Sequence, residues 1–256
     1  MHKIPYTDFH YQTAKTTGTR LFPSLVFYFQ LICIVVRAGR LAKKGRYDGS
    51  SWMESSYQVM RRLEQAGIRI EISGIENVAR VNGPVVIVGN HMSMMETLIL
   101  PVMIQPIKPV TFVIKEALLS YPVFKYIMRS CNPIAVTRTN PRQDLKTVLN
   151  EGLDRLNNNI SIIVFPQTTR SHTFDAGQMS TIGVKLAKKA GVPIVPLALK
   201  TDSWQNGKKI KDFGRLDVTR TAHFAFGEPM TVEGKGDAEH AIVNAFITER
   251  LSKWSD

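Results

Sequence analysis

A histidine and a carboxylate stand five positions apart in Asn90-His91-Met92-Ser93-Met94-Met95-Glu96, just after the apolar run Val85-Val86-Ile87-Val88. Imidazole is the one side chain whose unperturbed pKa lies near neutrality, and a fixed carboxylate beside it sets its tautomer and raises its basicity toward a hydroxyl. The pair therefore suggests that His91 activates a substrate hydroxyl with Glu96 in support. On a regular helix five residues turn through about 500°, which leaves the two side chains roughly 140° apart and on different faces. His91 is accordingly expected in a turn before a helix. Ser93 is a good N-cap with Glu96 at N3, so Ser93-Met94-Met95-Glu96 reads as a capping box that opens a helix over 96 to 104. The same residues admit a plainer reading, in which Glu96 only caps the helix and His91 is a loop histidine. The pair alone does not choose.

Two further blocks end apolar runs with cations. Phe165-Pro166-Gln167-Thr168-Thr169-Arg170-Ser171 follows Ser161-Ile162-Ile163-Val164, and Pro166 ends the strand ladder where hydroxyls and a guanidinium crowd into a turn. Such a turn could hold a phosphate, because arginine offers a bidentate fork and Thr or Ser adds neutral donors; a polar surface loop is the plainer alternative. Ile134-Ala135-Val136-Thr137-Arg138 offers a second phosphate contact or a solvated surface arginine. Val192-Pro193-Ile194-Val195-Pro196 fits a rigid wall for an apolar ligand or an edge strand.

The elements that must position these residues alternate from about residue 51. Trp52 to Gln65 reads as a helix stopped near Gly67, and Ile68 to Ile72 alternates as a half-exposed strand. Strands follow at 85–88, 110–114, 133–136, 161–165, 194–199 and 222–226, with helices near 96–104, 142–157, 178–190 and 237–253. The order predicts an α/β fold, a mixed sheet flanked by helices. Residues 51 to 256 would form that domain and residues 1 to 50 a basic and apolar N-terminal segment that associates with membranes.

Composition supports this division. The chain has 256 residues, 44% of them hydrophobic, enough for a large core. Its 33 basic and 21 acidic residues give a net charge of +12, which favours an anionic partner. Residues 1 to 50 carry Lys3, Lys15, Arg20, Arg37, Arg40, Lys43, Lys44 and Arg46 against Asp8 and Asp48, half of the net charge. Within them, residues 21 to 36 form an apolar stretch broken by Pro23, Ser24 and Gln30, shorter than the roughly 20 apolar residues of a spanning helix. A peripheral or monotopic anchor fits, with the basic cluster that follows lying against anionic headgroups; a core helix packed on the main domain is the alternative. Cys33 and Cys131 fit neither a disulfide framework nor a metal cluster, and are expected to be buried thiols in a reducing compartment. No helix-turn-helix, zinc or aromatic RNA-binding signature accompanies the charge, which argues against a nucleic-acid partner.

Taken in order, the blocks resemble the glycerolipid acyltransferase family that includes 1-acylglycerol-3-phosphate acyltransferases. Its usual signatures are a histidine followed after four residues by aspartate, a strand ending in arginine, Phe-Pro-Glu-Gly-Thr-Arg-Ser, and Val-Pro-Ile/Val-x-Pro. Here they correspond to His91 to Glu96, Ile134 to Arg138, Phe165 to Ser171 and Val192 to Pro196, and the likeness runs on through Lys200-Thr201-Asp202-Ser203-Trp204 and Phe226-Gly227-Glu228-Pro229. The resemblance implies that His91 takes the proton from an acceptor hydroxyl as it attacks an acyl thioester, with Glu96 supporting the imidazole and no acyl-enzyme formed. It implies that Arg138 and Arg170, with Gln167, Thr168, Thr169 and Ser171 beside them, bind the phosphate of a lysophospholipid, lysophosphatidate first among them. The donor would be acyl-CoA or acyl carrier protein, with no metal or other cofactor, at the cytoplasmic face of a membrane. Glu96 replaces the usual aspartate, Gln167 the usual glutamate and Thr168 the usual glycine. These changes leave two other readings open, a different lipid acceptor and a lipid-binding relative without catalysis.

Overall fold

The computed structural model describes residues 4, 6, 8–14, 22–167, 169–208 and 210–254. In chain order they form β1 (Tyr11–Gln12), α1 (Pro23–Lys43), α2 (Gly49–Gln65), β2 (Arg69–Ser73), α3 (Glu76–Ala79), β3 (Val86–Gly89), α4 (Met95–Ile104), β4 (Val110–Lys115), α5 (Phe124–Ser130), β5 (Ile134–Val136), α6 (Pro141–Asn157), β6 (Ser161–Val164), α7 (Ile182–Ala190), β7 (Ile194–Lys200), β8 (Thr221–Phe226) and α8 (Asp237–Lys253). Among the described residues the strands make one eight-stranded sheet in the order β1-β2-β8-β7-β3-β6-β4-β5. The pairs β2/β8, β3/β7, β3/β6, β4/β6 and β4/β5 are parallel, whereas β7/β8 and β1/β2 are antiparallel. This is the mixed, helix-flanked sheet that the alternation of elements predicts.

Residue types explain the layering. β3 and, after Ser161, β6 are apolar, and both are fully buried, as strands covered on both faces must be. Successive side chains point to opposite faces, so Ile87 joins a core with Met53, Met60 and Leu63 of α2 and Ile99 and Leu100 of α4. Val86 and Val88 join the opposite core with Val148 of α6, Val184 and Leu186 of α7 and Val243 and Ile247 of α8. Each fully buried aliphatic side chain contributes about 1.5–3 kcal/mol relative to exposure.

Three local devices serve the end of β3, where the histidine leaves the sheet. Asn90 is buried, and its side chain donates to Leu199 O at 2.8 Å while accepting from Leu199 N at 2.8 Å. It thereby extends the clamp between β3 and β7 by one residue. Pro196 lies in a central strand, not at the edge that its two prolines would allow. The antiparallel pairing slips by one residue between the Ile194–Met230 bridge and Leu197–Phe226, and this bulge is where a residue without an N–H is tolerated. In α4, Pro101 breaks the helical ladder, and Ser56 of α2 repairs it. The Ser56 hydroxyl donates to Leu98 O at 2.6 Å and accepts from Val102 N at 3.0 Å.

α1 is longer than the apolar stretch that announces it, and Pro23 sits at its first turn, where proline costs no hydrogen bond. It buries Phe27, Leu31 and Ala38, but Phe22 before it and Leu25, Phe29 and Ile32 along it are exposed, Leu25 and Phe29 at 72% each. It is therefore not a fully buried core helix; an exposed apolar face of this kind marks an interaction surface, and the helix has the length and hydropathy of a candidate membrane-associating segment. Cys33 shares the outer side and is exposed, contrary to the expectation of a buried thiol, because residues every three to four positions along the helix follow Phe29 and not Phe27. Cys131 is partly buried, and burial pushes its thiol up to about 12. Two helix starts also differ from expectation. Asp48 caps α2 by accepting from Ser51 N, which brings its start back to Gly49. A 3₁₀ turn at Ala176–Gln178 delays α7 to Ile182.

Candidate active site

The turn after β3 places His91 beside Glu96. His91 Nδ1 lies 3.0 Å from Glu96 Oε1, with the histidine side chain 12% exposed and the glutamate fully buried. The carboxylate is surrounded by donors. Oε1 accepts from Met92 N at 2.7 Å and Ser93 N at 2.9 Å, and Oε2 accepts from the hydroxyls of Ser93 at 2.9 Å and Thr201 at 2.7 Å. Burial pushes the Glu96 carboxyl up, but His91, the Ser93 N–H and the Thr201 hydroxyl together outweigh it and hold the group below the usual carboxylate range. An ionised carboxylate can only accept, so the proton of the His91–Glu96 bond belongs to Nδ1, and Nε2 carries the lone pair. The capping box is half realised. Glu96 reaches back to Ser93 N as expected, while Ser93 Oγ accepts from Met95 N at 3.1 Å and the helix begins at Met95.

The loop after β6 seats the imidazole from the other side. Phe165 stacks on the His91 ring, with centroids 4.5 Å apart and planes 5° from parallel. Gln167 is buried, and its Oε1 accepts from His91 N at 2.6 Å; a carboxylate there would accept the same bond, so the loss of charge at this position keeps the contact. Ser171 N donates to His91 O at 2.9 Å, whereas the Ser171 hydroxyl turns to Thr173 at 3.2 Å. Gln167 and Ser171 thus hold the histidine backbone and do not line the cavity in front of the ring. Thr168 lies outside the described residues.

That cavity has a volume of about 660 Å³. Leu31, Val35 and Val36 of α1, Phe112 and Ile114 of β4 and the Tyr121–Phe124 turn give it apolar walls, and His91 opens into it. Thr169, Arg170 and Arg138 line its polar end together with Lys211 and Asp212. Arg138 has a left-handed backbone, φ 63°, held by its N–H bond to Asp144 Oδ2 at 2.7 Å; Asp144 Oδ1 accepts from Thr137 N at 2.8 Å. Burial and the nearby Arg170 lower the Arg138 pKa, with Asp144 opposing them. Arg170, 16% exposed, pairs with Asp212 Oδ1 at 2.5 Å. The carboxylate missing at Gln167 therefore does not leave Arg170 without an anion, since Asp212 supplies one from a distant loop.

The structure thus gathers His91, Arg138, Thr169 and Arg170 around one cavity, with Glu96 buried behind His91. Sequence reasoning missed Asn90, Ser93 Oγ as a carboxylate ligand, Thr201, Lys211 and Asp212. Thr201 falls inside the block that continues the family likeness, but nothing in its spacing marks it as a partner of Glu96. Among the described residues no group of three or more His, Cys, Asp or Glu side chains is placed to hold a metal.

A strand-end histidine on a buried carboxylate, facing an apolar cavity with a cationic end, is placed to take the proton of a group bound there. The sequence model of the Acyltransferase family matches residues 69–200. The chain is 31% identical over 215 residues to 1-acyl-sn-glycerol-3-phosphate acyltransferase from Pseudomonas aeruginosa, an alignment that covers 82% of this chain and 79% of the relative. A probable 1-acyl-sn-glycerol-3-phosphate acyltransferase from Mycoplasma pneumoniae is 31% identical over 136 residues, 52% of this chain and 50% of that one. The crystal structure of the 1-acyl-sn-glycerophosphate acyltransferase PlsC from Thermotoga maritima superposes with a TM-score of 0.64 at 20% identity, covering 91% of this chain and 94% of that chain, and so shares the fold. This chain belongs to the acyltransferase family, and it is an O-acyltransferase.

Glu96→Gln should lower kcat/KM by about 10²–10⁴-fold, because an amide cannot accept from all of the donors that surround it and loses the charge that orients His91. Folding lowers the pKa of Glu96, so its contribution to stability is complete above the ordinary carboxylate value of about 4.3 and is lost only as pH falls through the lower folded value. The stability advantage of the wild type over Glu96→Gln, read from denaturant midpoints, should therefore shrink as pH falls below the ordinary carboxylate range.

Proposed function

We propose that the enzyme transfers a fatty acyl group from a thioester to the free hydroxyl of 1-acylglycerol-3-phosphate, forming phosphatidate. The observation that carries this reading is the placement of His91 between an apolar cavity suited to acyl chains and a cationic end suited to a phosphate. His91 Nε2 takes the hydroxyl proton as the oxygen attacks the thioester carbonyl. The tetrahedral intermediate then collapses, the C–S bond breaks, and the departing sulfur takes the proton back from the imidazolium. Glu96 keeps Nδ1 protonated throughout and stabilises the transient cation. Arg138 and Arg170 bind the acceptor phosphate, and Thr169 adds a neutral donor.

Acyl-CoA and acyl carrier protein are both anionic and suit the net charge of +12. The membrane partner is an anionic leaflet. In this reading Leu25, Phe29 and Ile32 of α1, which are exposed, enter its apolar boundary while Arg37, Arg40, Lys43, Lys44 and Arg46 face the headgroups, and the enzyme is a peripheral or monotopic protein of the cytoplasmic face.

Release of free thiol from acyl-CoA or acyl carrier protein should depend on added lysophosphatidate and fall at least about 10²-fold in His91→Ala; equal release by both proteins would contradict the assignment. Cosedimentation with anionic phospholipid vesicles should weaken at least about tenfold in the double variant Leu25→Ser, Phe29→Ser, since each buried side chain is worth roughly 1.5–3 kcal/mol. Unchanged vesicle binding would remove α1 from the interface.

A further inference from the structure

One cation at the polar end of the cavity lies outside the segment matched to the family. Lys211 belongs to an excursion between β7 and β8, beyond residue 200 where that match ends. The excursion is a closed hairpin, not a loose loop. Its neck is the Trp204–Leu216 bridge, with Gln205 N donating to Arg215 O at 3.0 Å and Asp217 N to Ser203 O at 2.8 Å. Its tip is closed by Gly207 N to Lys211 O at 3.1 Å and Phe213 N to Ile210 O at 3.0 Å. Any side chain at Gly214 would run into Gln205 O, and one at Gly207 into Ile210 O.

α1 holds the hairpin against the cavity. Trp204 meets the rings of Phe27 and Tyr28 edge-on at 5.0 and 5.9 Å, the Tyr28 hydroxyl donates to Gly214 O at 2.5 Å, and Leu216 N donates to Ser24 Oγ at 3.0 Å. So fixed, Lys211 Nζ donates to Thr169 Oγ1 at 2.6 Å and to Arg170 O at 3.2 Å. An ammonium has three N–H donors, and these two bonds leave one for a ligand. Its neighbour Asp212 pairs with the Arg170 side chain.

Resting on the reading of the acceptor as a phosphate monoester, we infer that Lys211 is a third phosphate-binding cation, acting with Arg138 and Arg170 to select acceptors that carry a phosphate. Cations outnumber the carboxylates there, three against Asp212 and, behind Arg138, Asp144. A phosphate monoester carries about −1.5 to −2 charges at neutral pH and three strong acceptor oxygens, enough for two guanidinium groups and an ammonium. Burial, Arg170 and Arg138 lower the Lys211 pKa while Asp212 raises it, so an anion bound among these cations would relieve their mutual repulsion.

The test is steady-state acyl transfer from one acyl-CoA to lysophosphatidate and to 1-acylglycerol, which lacks the phosphate, by the wild type, Lys211→Met and Lys211→Arg. Lys211→Met keeps the apolar stem and removes the charge. It should raise KM for lysophosphatidate about tenfold with kcat within about twofold, Lys211→Arg should recover most of the loss, and any transfer to 1-acylglycerol should be unaffected. An unchanged KM for lysophosphatidate in Lys211→Met, or an equal loss with both acceptors, would overturn the inference while leaving the acceptor reading intact. A wild type that uses only acceptors without phosphate would overturn the acceptor reading itself and this inference with it, a result read before any variant is compared.

Discussion

A carboxylate removed from water must be compensated on every side or it will take up a proton, and the architecture around Glu96 is arranged to prevent that. Two backbone N–H groups, two hydroxyls and one imidazole converge on its two oxygens. Each donor comes at a structural cost met elsewhere. The N–H groups of Met92 and Ser93 face inward only because the chain turns sharply after Asn90, and that turn is secured by the Asn90 clamp on Leu199 and by Gln167 under His91 N. Thr201 arrives at the end of β7, whose parallel pairing with β3 brings the ends of both strands to the same edge of the sheet. The imidazole is then sandwiched between the carboxylate edge-on and the Phe165 ring face-on, with its second nitrogen toward the cavity.

α1 and the polar end of the cavity form one structural unit. α1 contributes apolar wall on its inner side, packs Phe27 and Tyr28 on Trp204, and through Tyr28 and Ser24 fixes the hairpin that carries Lys211 and Asp212. The outer side of the same helix is the exposed apolar face. Insertion of that face into a leaflet would therefore set the cavity at the depth of the lipid, with its apolar wall and its cationic end held by the same helix.

Much of this was legible in the sequence because its signals were local. The buried strands read as continuous apolar runs, α8 as a periodic segment over 237 to 253, and the His91 turn as a spacing that a helix cannot accommodate. What stayed hidden depended on residues brought together by topology. Asp212 and Lys211 lie more than 40 positions from Thr169 and Arg170, in a polar stretch without apolar periodicity. Ser56 repairs the Pro101 break from another helix, and no pattern in α2 announces that. The edge-strand alternative for β7 failed because a bulge, which depends on the partner strand, makes room for Pro196 in the middle of the sheet. Cys33 was misjudged because an apolar stretch alone does not say which side of its helix meets the core.

Buried, ionised Glu96 fixes the proton of His91 on Nδ1 and leaves the lone pair on Nε2. Nitrogen-15 NMR of the histidine-labelled enzyme at a pH where His91 is neutral tests it directly. The Nδ1–H tautomer is expected, with a pyridine-like Nε2 resonance that shifts when Glu96 is changed to Gln. A neutral His91 with its proton on Nε2 and a bare Nδ1 would contradict it.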